Sequence, residues 1–268
     1  AVRAVTEQLA VEPQPTPAVN LFPGFVSPED LRHLKEICAD FALPVTLLPD
    51  YSDTMDGPTL EDYREIPEGG TPLAALRCMA GAPATIEFGR TLRPERTAGG
   101  LLQARHGVRL FSLGLPVGLR ETDAFFAALQ EISGRPTPRR HALERGRLLD
   151  AYVDAHKYLS GRRAVIYGEE DLVVGLAAFL SEIGVRPVLA ATGGGSGRFS
   201  ESVAAVCGPL LAETPLTMED VDFHDIVQHG RQLSPDLVLG NSKGYRVLAR
   251  ELGVPLIRTG FPVHDRFG

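Results

Sequence analysis

Short apolar runs alternate with longer amphipathic stretches along most of the chain. Val19-Asn20-Leu21-Phe22 is one such run, closed by Pro23-Gly24, and reads as a buried strand. Ser27-Pro28-Glu29-Asp30 then supplies an N-cap, a proline at the first helical position and first-turn acids, which predicts a helix. Leu31, Leu34, Cys38 and Phe41 recur along it at helical spacing before Pro44 and a strand at Val45-Thr46-Leu47-Leu48. The same alternation predicts a short helix from Thr71 to Met79, a strand from Ala84 to Phe88, a helix near Ala98 to His106 and a strand from Val108 to Leu113.

Between Pro116 and Tyr158 the periodicity is helical throughout, split only by Gly134-Arg135-Pro136-Thr137-Pro138. Strands are expected again at Ala164 to Tyr167, Pro187 to Ala191, Leu237 to Leu239 and Pro255 to Arg258. The helices between them are expected at Asp171 to Glu182, near Ser200 to Leu211, near Phe223 to Gln232, and from Tyr245 to Leu252 with Gly253 as cap. Strands and helices alternating at these lengths predict parallel sheets covered on both faces. The expected fold is α/β, two Rossmann-like units with mainly parallel sheets joined by a helical bridge. The divisions fall at 1–17 (a helix remnant and Pro-rich linker), 18–115, 116–160 and 161–268. The chain opens at Ala1 inside a helical pattern, so it is expected to be a piece of a longer one. The stretch from Pro49 to Gly70 is acidic, rich in Gly and Pro and without periodicity, which predicts a long loop of the kind kept for binding or interfaces.

Composition narrows the function classes. With 268 residues, 44% apolar and 23% charged, the chain has the makings of an ordinary globular core. A net charge of -7 argues against nucleic acid as a partner, because such binding begins with cations neutralising phosphates. Cys38, Cys78 and Cys207 form no CxxC pair, which fits a reducing, cytoplasmic compartment and offers no zinc or ferredoxin-type site. No apolar stretch is long enough for a membrane helix, so no membrane partner is expected.

Two segments tempt a ligand reading. Gly193-Gly194-Gly195-Ser196-Gly197 follows a strand and precedes a helix, where backbone amides can hold a phosphate. A dinucleotide fingerprint, however, follows the first strand of its unit, and the first strand here ends in Tyr167-Gly168-Glu169-Glu170-Asp171, whose acids would repel a pyrophosphate. A structural loop is the favoured reading, and a small-ligand or nucleotide-binding α/β protein without metal is the alternative it leaves. Asn241, Ser242 and Lys243, with Gly244, end a strand at the edge where open α/β sheets bind ligands, and Gly260 and Phe261 follow the next strand. Asn241, Ser242, Lys243, Gly260 and Phe261 are the candidate cavity edge, set against simple capping by Asn241 or Ser242. His264 beside Asp265 and Arg266 reads as structural. Asp150 and Asp154 share a helix face that His156 does not, so the three cannot chelate one ion. No nucleophile and base can be paired, no catalytic residue is assigned, and no metal ligand is read in this segment.

Several ordered segments together resemble the nitrogenase component 1 family. They are Val19 to Phe25, Leu47-Leu48-Pro49-Asp50 with Asp56-Gly57-Pro58, Gly69-Gly70-Thr71, Glu144 to Asp150 with Asp154, Gly161 to Gly168, Leu239 to Gly244 and Gly253 to Arg266. The resemblance covers nearly all of Val19 to Gly268. It implies a heterotetramer with a paralogous alpha-type chain, reduction by a separate ATP-dependent iron protein, and iron-sulfur and iron-molybdenum-type clusters in the complete complex. In alpha-type chains a cysteine and a histidine hold the active-site cofactor, but Ala84 to Gly89 has no cysteine and Gly260-Phe261-Pro262 no histidine. The resemblance is therefore to a beta-type chain, whose cluster cysteines belong to a first domain outside this sequence, and no cofactor is expected on this segment alone. Two roles fit it, dinitrogen reduction and assembly of the iron-molybdenum cofactor.

Overall fold

The structure is a computed structural model that describes residues 1–57, 59, 62, 63, 65 and 68–260. It divides into two compact units, Ala1–Leu113 with Phe125–Pro138, and Gly114–Ala124 with Arg139–Gly268.

The first unit contains helix α1 (Val2–Leu9), strand β1 (Val19–Phe22), α2 (Pro28–Asp40), β2 (Val45–Leu47), α3 (Ser52–Met55), α4 (Leu73–Cys78), β3 (Ala84–Phe88), α5 (Ala98–His106) and β4 (Arg109–Leu113). The strands form one parallel sheet in the order β2-β1-β3-β4. β1 and β3 are buried along their whole length, although β3 alternates apolar Ala84, Ile86 and Phe88 with polar Thr85 and Glu87. Asn20 is tolerated inside β1 because its side-chain amide donates to the Met79 carbonyl (3.0 Å) and the Thr85 hydroxyl (3.1 Å). Ser27 and Asp30 close a reciprocal capping box at the start of α2. The proline-rich stretch after α1 is hydrogen-bonded to the same unit, through Glu12 N–H to the Arg77 carbonyl (3.0 Å) and Thr16 N–H to the Gly81 carbonyl (3.1 Å). Ala10, at the end of α1, is buried in the same cluster as Phe22, Leu76, Met79 and Leu102.

Helix α6 (Gly118–Ser133) is divided between the units, and α7 (Arg139–Leu159) follows it with no strand between. Then come β5 (Arg163–Gly168), α8 (Glu170–Glu182), β6 (Arg186–Thr192), α9 (Phe199–Cys207), β7 (Leu216–Met218), α10 (Phe223–Leu233), β8 (Leu237–Gly240), α11 (Arg250–Leu252) and β9 (Leu256–Arg258). These five strands make a parallel sheet in the order β7-β6-β5-β8-β9, a doubly wound topology in which the chain reverses direction between β5 and β8. Val173, Val174, Ala177, Ala178 and Leu180 of α8 pack on one face of this sheet with Phe199, Val203 and Val206 of α9, while Ile226, Val227 and Leu248 cover the other. Glu182 at the end of α8 accepts from the Leu119 and Arg120 amides (2.8 and 3.0 Å) and from the Tyr152 hydroxyl (3.1 Å), tying the starts of α6 and the middle of α7 to it.

Three local features differ from expectation. A one-turn helix, α3, lies within the stretch from Pro49 to Gly70 that is predicted as a loop. β7 lies where only a connection between helices is predicted. The helix predicted from Tyr245 to Leu252 opens as a π-helical turn, Tyr245–Ala249, before α11. Gly253 caps it in the left-handed conformation (φ 69°), as the glycine predicts. No helix among the described residues is long and apolar enough to cross a membrane.

Candidate functional site

In a parallel sheet all carboxyl ends lie along one edge, and the crevice forms where neighbouring connections leave in opposite directions. In the second unit that place lies between the ends of β5 and β8, at Gly168 and Gly240. Asn241, Ser242 and Lys243 leave the end of β8, and Gly260 follows β9, where the Thr259 amide donates to the Gly240 carbonyl (2.9 Å). The structure thus brings these four residues to one sheet edge; Phe261 and the His264–Arg266 segment lie outside the described residues. Asn241 accepts the Lys243 amide on its side-chain oxygen (3.1 Å), closing a local turn of the capping kind, while the Lys243 side chain is exposed. Gly260 has φ 107°, and a Cβ there would stand 3.4 Å from the Leu172 side chain.

The crevice is filled by Tyr167, the penultimate residue of β5. Its ring is 3% exposed and lies so close to the backbone of Gly240 and Gly244 that a Cβ on either would fall 2.4 or 2.3 Å from Tyr167 atoms. Its hydroxyl donates to the Asn241 carbonyl, and its ring stands T-shaped to that of Phe223 at 5.3 Å between centroids. Burial pushes the phenol up to about 12, so it remains a neutral donor at physiological pH. The residue is not among those the sequence singles out. The signal that could have revealed it is indirect: glycines at both 240 and 244, where a bulky neighbour leaves no room for a side chain.

The glycine-rich loop is occupied in the same way. Glu170, 7% exposed, accepts the Ser196 amide on Oε1 (3.0 Å), and Glu219 accepts the Gly197 amide (3.1 Å). A Cβ on Gly194 would fall 2.4 Å from Glu170 Oε1, so the glycine makes room for an internal carboxylate. Carboxylates of the chain itself take the amides that a phosphate would need, which removes the main support for a nucleotide-binding reading. Of the acids that weigh against a pyrophosphate in the sequence, Glu170 does so in space by taking a loop amide.

The remaining candidates stay apart. Asp154 pairs with Lys157 (2.7 Å) and Asp150 is exposed, while the His156 ring lies against Gly184. Among the described residues no three His, Cys, Asp or Glu side chains converge as a metal site. Cys38 is buried, and burial raises its thiol to about 12. Burial also raises the buried Cys207 despite Arg120 nearby, and Cys78 lies 3.7 Å from a Glu12 carboxylate oxygen. Thiols in these surroundings do not form a cluster ligand set, which needs converging thiolates.

Comparison with known proteins places this architecture. The sequence profile described as Nitrogenase component 1 type Oxidoreductase matches residues 1–268. The nitrogenase molybdenum-iron protein beta chain of Clostridium pasteurianum is 32% identical over 250 residues, covering 93% of this chain and 54% of that protein. The protein of the same name from Bradyrhizobium diazoefficiens is 36% identical, covering 96% and 49%, and the nitrogenase vanadium-iron protein beta chain of Trichormus variabilis 30% identical, covering 100% and 58%. A solved structure titled Nitrogenase Cp1 at pH 6.5 superposes with a TM-score of 0.92 at 30% identity, over 100% of this chain and 58% of that one. The chain therefore belongs to the nitrogenase component 1 family. Within it the chain is of the beta type, and it spans about half the length of the relatives it matches.

Proposed function

We propose that the chain is part of a beta-type subunit of a nitrogenase-family metallocluster complex acting in nitrogen fixation, in dinitrogen reduction or in assembly of the iron-molybdenum cofactor. The observation that carries this reading is the match of the chain in sequence to beta chains named for molybdenum, vanadium or iron alone, and in backbone to a structure titled Nitrogenase Cp1. In this reading the partners are a paralogous alpha-type chain in a heterotetramer and an ATP-dependent iron protein, in the cytoplasm. Iron-sulfur and iron-molybdenum-type clusters belong to the complete complex. The described residues do not suit such a cluster, since their thiols are buried or solitary and no donor set converges. The contribution of this segment is framework: two parallel sheets whose carboxyl-edge loops are held by internal contacts. The cavity edge at Asn241, Ser242, Lys243, Gly260 and Phe261 is proposed as part of that framework.

The test is to express the full-length protein anaerobically with its alpha-type partner, measure iron and molybdenum in the purified complex, and assay acetylene reduction with the iron protein. Turnover with a full metal complement identifies the catalytic beta subunit. Iron with little turnover, together with transfer of a cofactor precursor to apo-nitrogenase, identifies the assembly role. A metal-free, inactive complex would overturn the proposal.

A further inference from the structure

We infer that the amino edge of the second sheet binds a small organic acid, one carboxylate carried on a compact apolar body the size of a single ring. A cavity of about 180 Å³ opens there, at the opposite end of the strands from the Tyr167 crevice. Its position follows from strand pairing. Val188 is an extra residue in β6, because Ala164 pairs with Pro187 while Val165 pairs with Leu189. β7 joins β6 only from Leu189 and Leu216 onward, so Arg186 to Val188 run past Glu213 to Pro215 with no ladder between them. The gap so left is walled by Val188, Pro215, Leu216 and Leu233. An apolar cavity of about 150 Å³ holds benzene, so this one has room for a ring or a branched chain.

The polar groups give the cavity its sign. Arg163 and Arg186 are register partners across β5 and β6, and both line it. Two bonds from the Arg163 guanidinium to the Leu233 carbonyl (3.0 and 2.7 Å) fix that side chain on a neutral acceptor. Asp236 accepts from the Arg162 side chain and the Arg163 amide (3.2 and 2.8 Å). Arg186 meets the Glu213 carboxylate at 3.6 Å, with the Glu213 side chain 82% exposed. An ion pair so open to water contributes little and is readily exchanged. Cations on neighbouring strands repel, and a ligand carboxylate between them relieves the repulsion while accepting charge-assisted hydrogen bonds. The apolar walls select an acid with an apolar body over a bare inorganic anion, whose hydration they cannot replace. This inference does not depend on the nitrogenase reading.

The experiment is an NMR titration of the unsubstituted chain with benzoate, benzamide and inorganic phosphate, and of Arg186→Gln, Glu213→Gln and Arg109→Gln with benzoate. The side chains of Arg186 and Glu213 are exposed, so their variants keep the fold, whereas Arg163 ties β5 to α10 and is left intact. Benzoate is expected to saturate one site with a Kd on the order of 1 mM, in the range open to so small a ligand. Benzamide and phosphate should bind at least roughly tenfold more weakly, and Arg186→Gln should weaken benzoate by a similar factor. Glu213→Gln removes the internal competitor and should tighten benzoate roughly twofold to fivefold. Arg109→Gln, at an ion pair of the first unit, should leave its Kd unchanged. The proposal is overturned if benzoate shows no saturable binding well above the expected Kd, or if benzamide or phosphate binds as tightly. It is equally overturned if Arg186→Gln has no effect, if Glu213→Gln fails to tighten binding, or if Arg109→Gln weakens it as much as Arg186→Gln.

Discussion

Glu87 shows how a single buried carboxylate can be read for its pH behaviour. It lies in β3, 5% exposed, and its Oε1 accepts the Gly99 amide (3.2 Å) at the start of α5, with the Ala98 amide and Thr97 hydroxyl also bonded to the carboxylate. Those donors and the helix dipole favour the charged form. Burial outweighs them and raises its pKa above the ordinary carboxylate value. A raised folded-state pKa means that the folded chain holds a proton the unfolded chain has released. The contribution of Glu87 to stability is therefore greatest below the unfolded value, and is lost as pH rises through the folded one. Urea unfolding of the unsubstituted chain and Glu87→Gln across that range should show it: their stability difference should move against the unsubstituted chain with rising pH, then become flat. A difference independent of pH from the start would mean that Glu87 does not titrate as its surroundings require. Of the residues that matter most at this scale, Glu87 and Tyr167 were illegible in sequence, because their partners come from separate elements brought together only by folding.

Elements were legible where burial on both faces or a cap left a mark. Val19-Asn20-Leu21-Phe22 and Ala84 to Phe88 are buried along their length and read as strands; Ser27 to Asp30 wrote the start of α2 directly. β7 left no such mark: it is a three-residue edge strand with Leu216 exposed, and an apolar pattern has nothing to record there. The proline-rich stretch after α1 illustrates a different limit, since its composition announces stiffness but not attachment. The attachment is tight at Gly81, where an added Cβ would fall 1.8 Å from the Gln14 carbonyl oxygen. Gly81→Ala must therefore displace that stretch from the first unit, and is expected to destabilise it by about 1–3 kcal/mol. Chemical unfolding measures the loss, and faster proteolysis within residues 11–17 locates it. Unchanged stability would mean that the stretch yields without strain.

At the scale of the whole molecule the alternation of short apolar runs with amphipathic helices foretold two parallel α/β sheets, but not their strand orders. Those orders decide where a crevice can form, and strand order is a property of long-range pairing that no local pattern carries. Once β5 and β8 are neighbours, the glycine-rich loop, the acids after β5 and the Asn241 turn share one edge, and their mutual contacts determine what the edge can bind. The sequence could weigh a nucleotide against those acids only by charge; the structure shows Glu170 and Glu219 on the loop amides themselves. A triphosphate would have to displace both carboxylates and bring its own charge beside them and beside Glu169, in a chain already carrying a net charge of -7. ATP or inorganic phosphate at millimolar concentration is therefore expected to leave the thermal midpoint of the chain unchanged. A ligand present at about 100 times its Kd would add roughly 2.7 kcal/mol and be plainly visible. A rise in midpoint with ATP that is lost on Gly195→Asp would return the loop to the phosphate-binding reading. The same rise retained in that variant would place the nucleotide elsewhere on the chain.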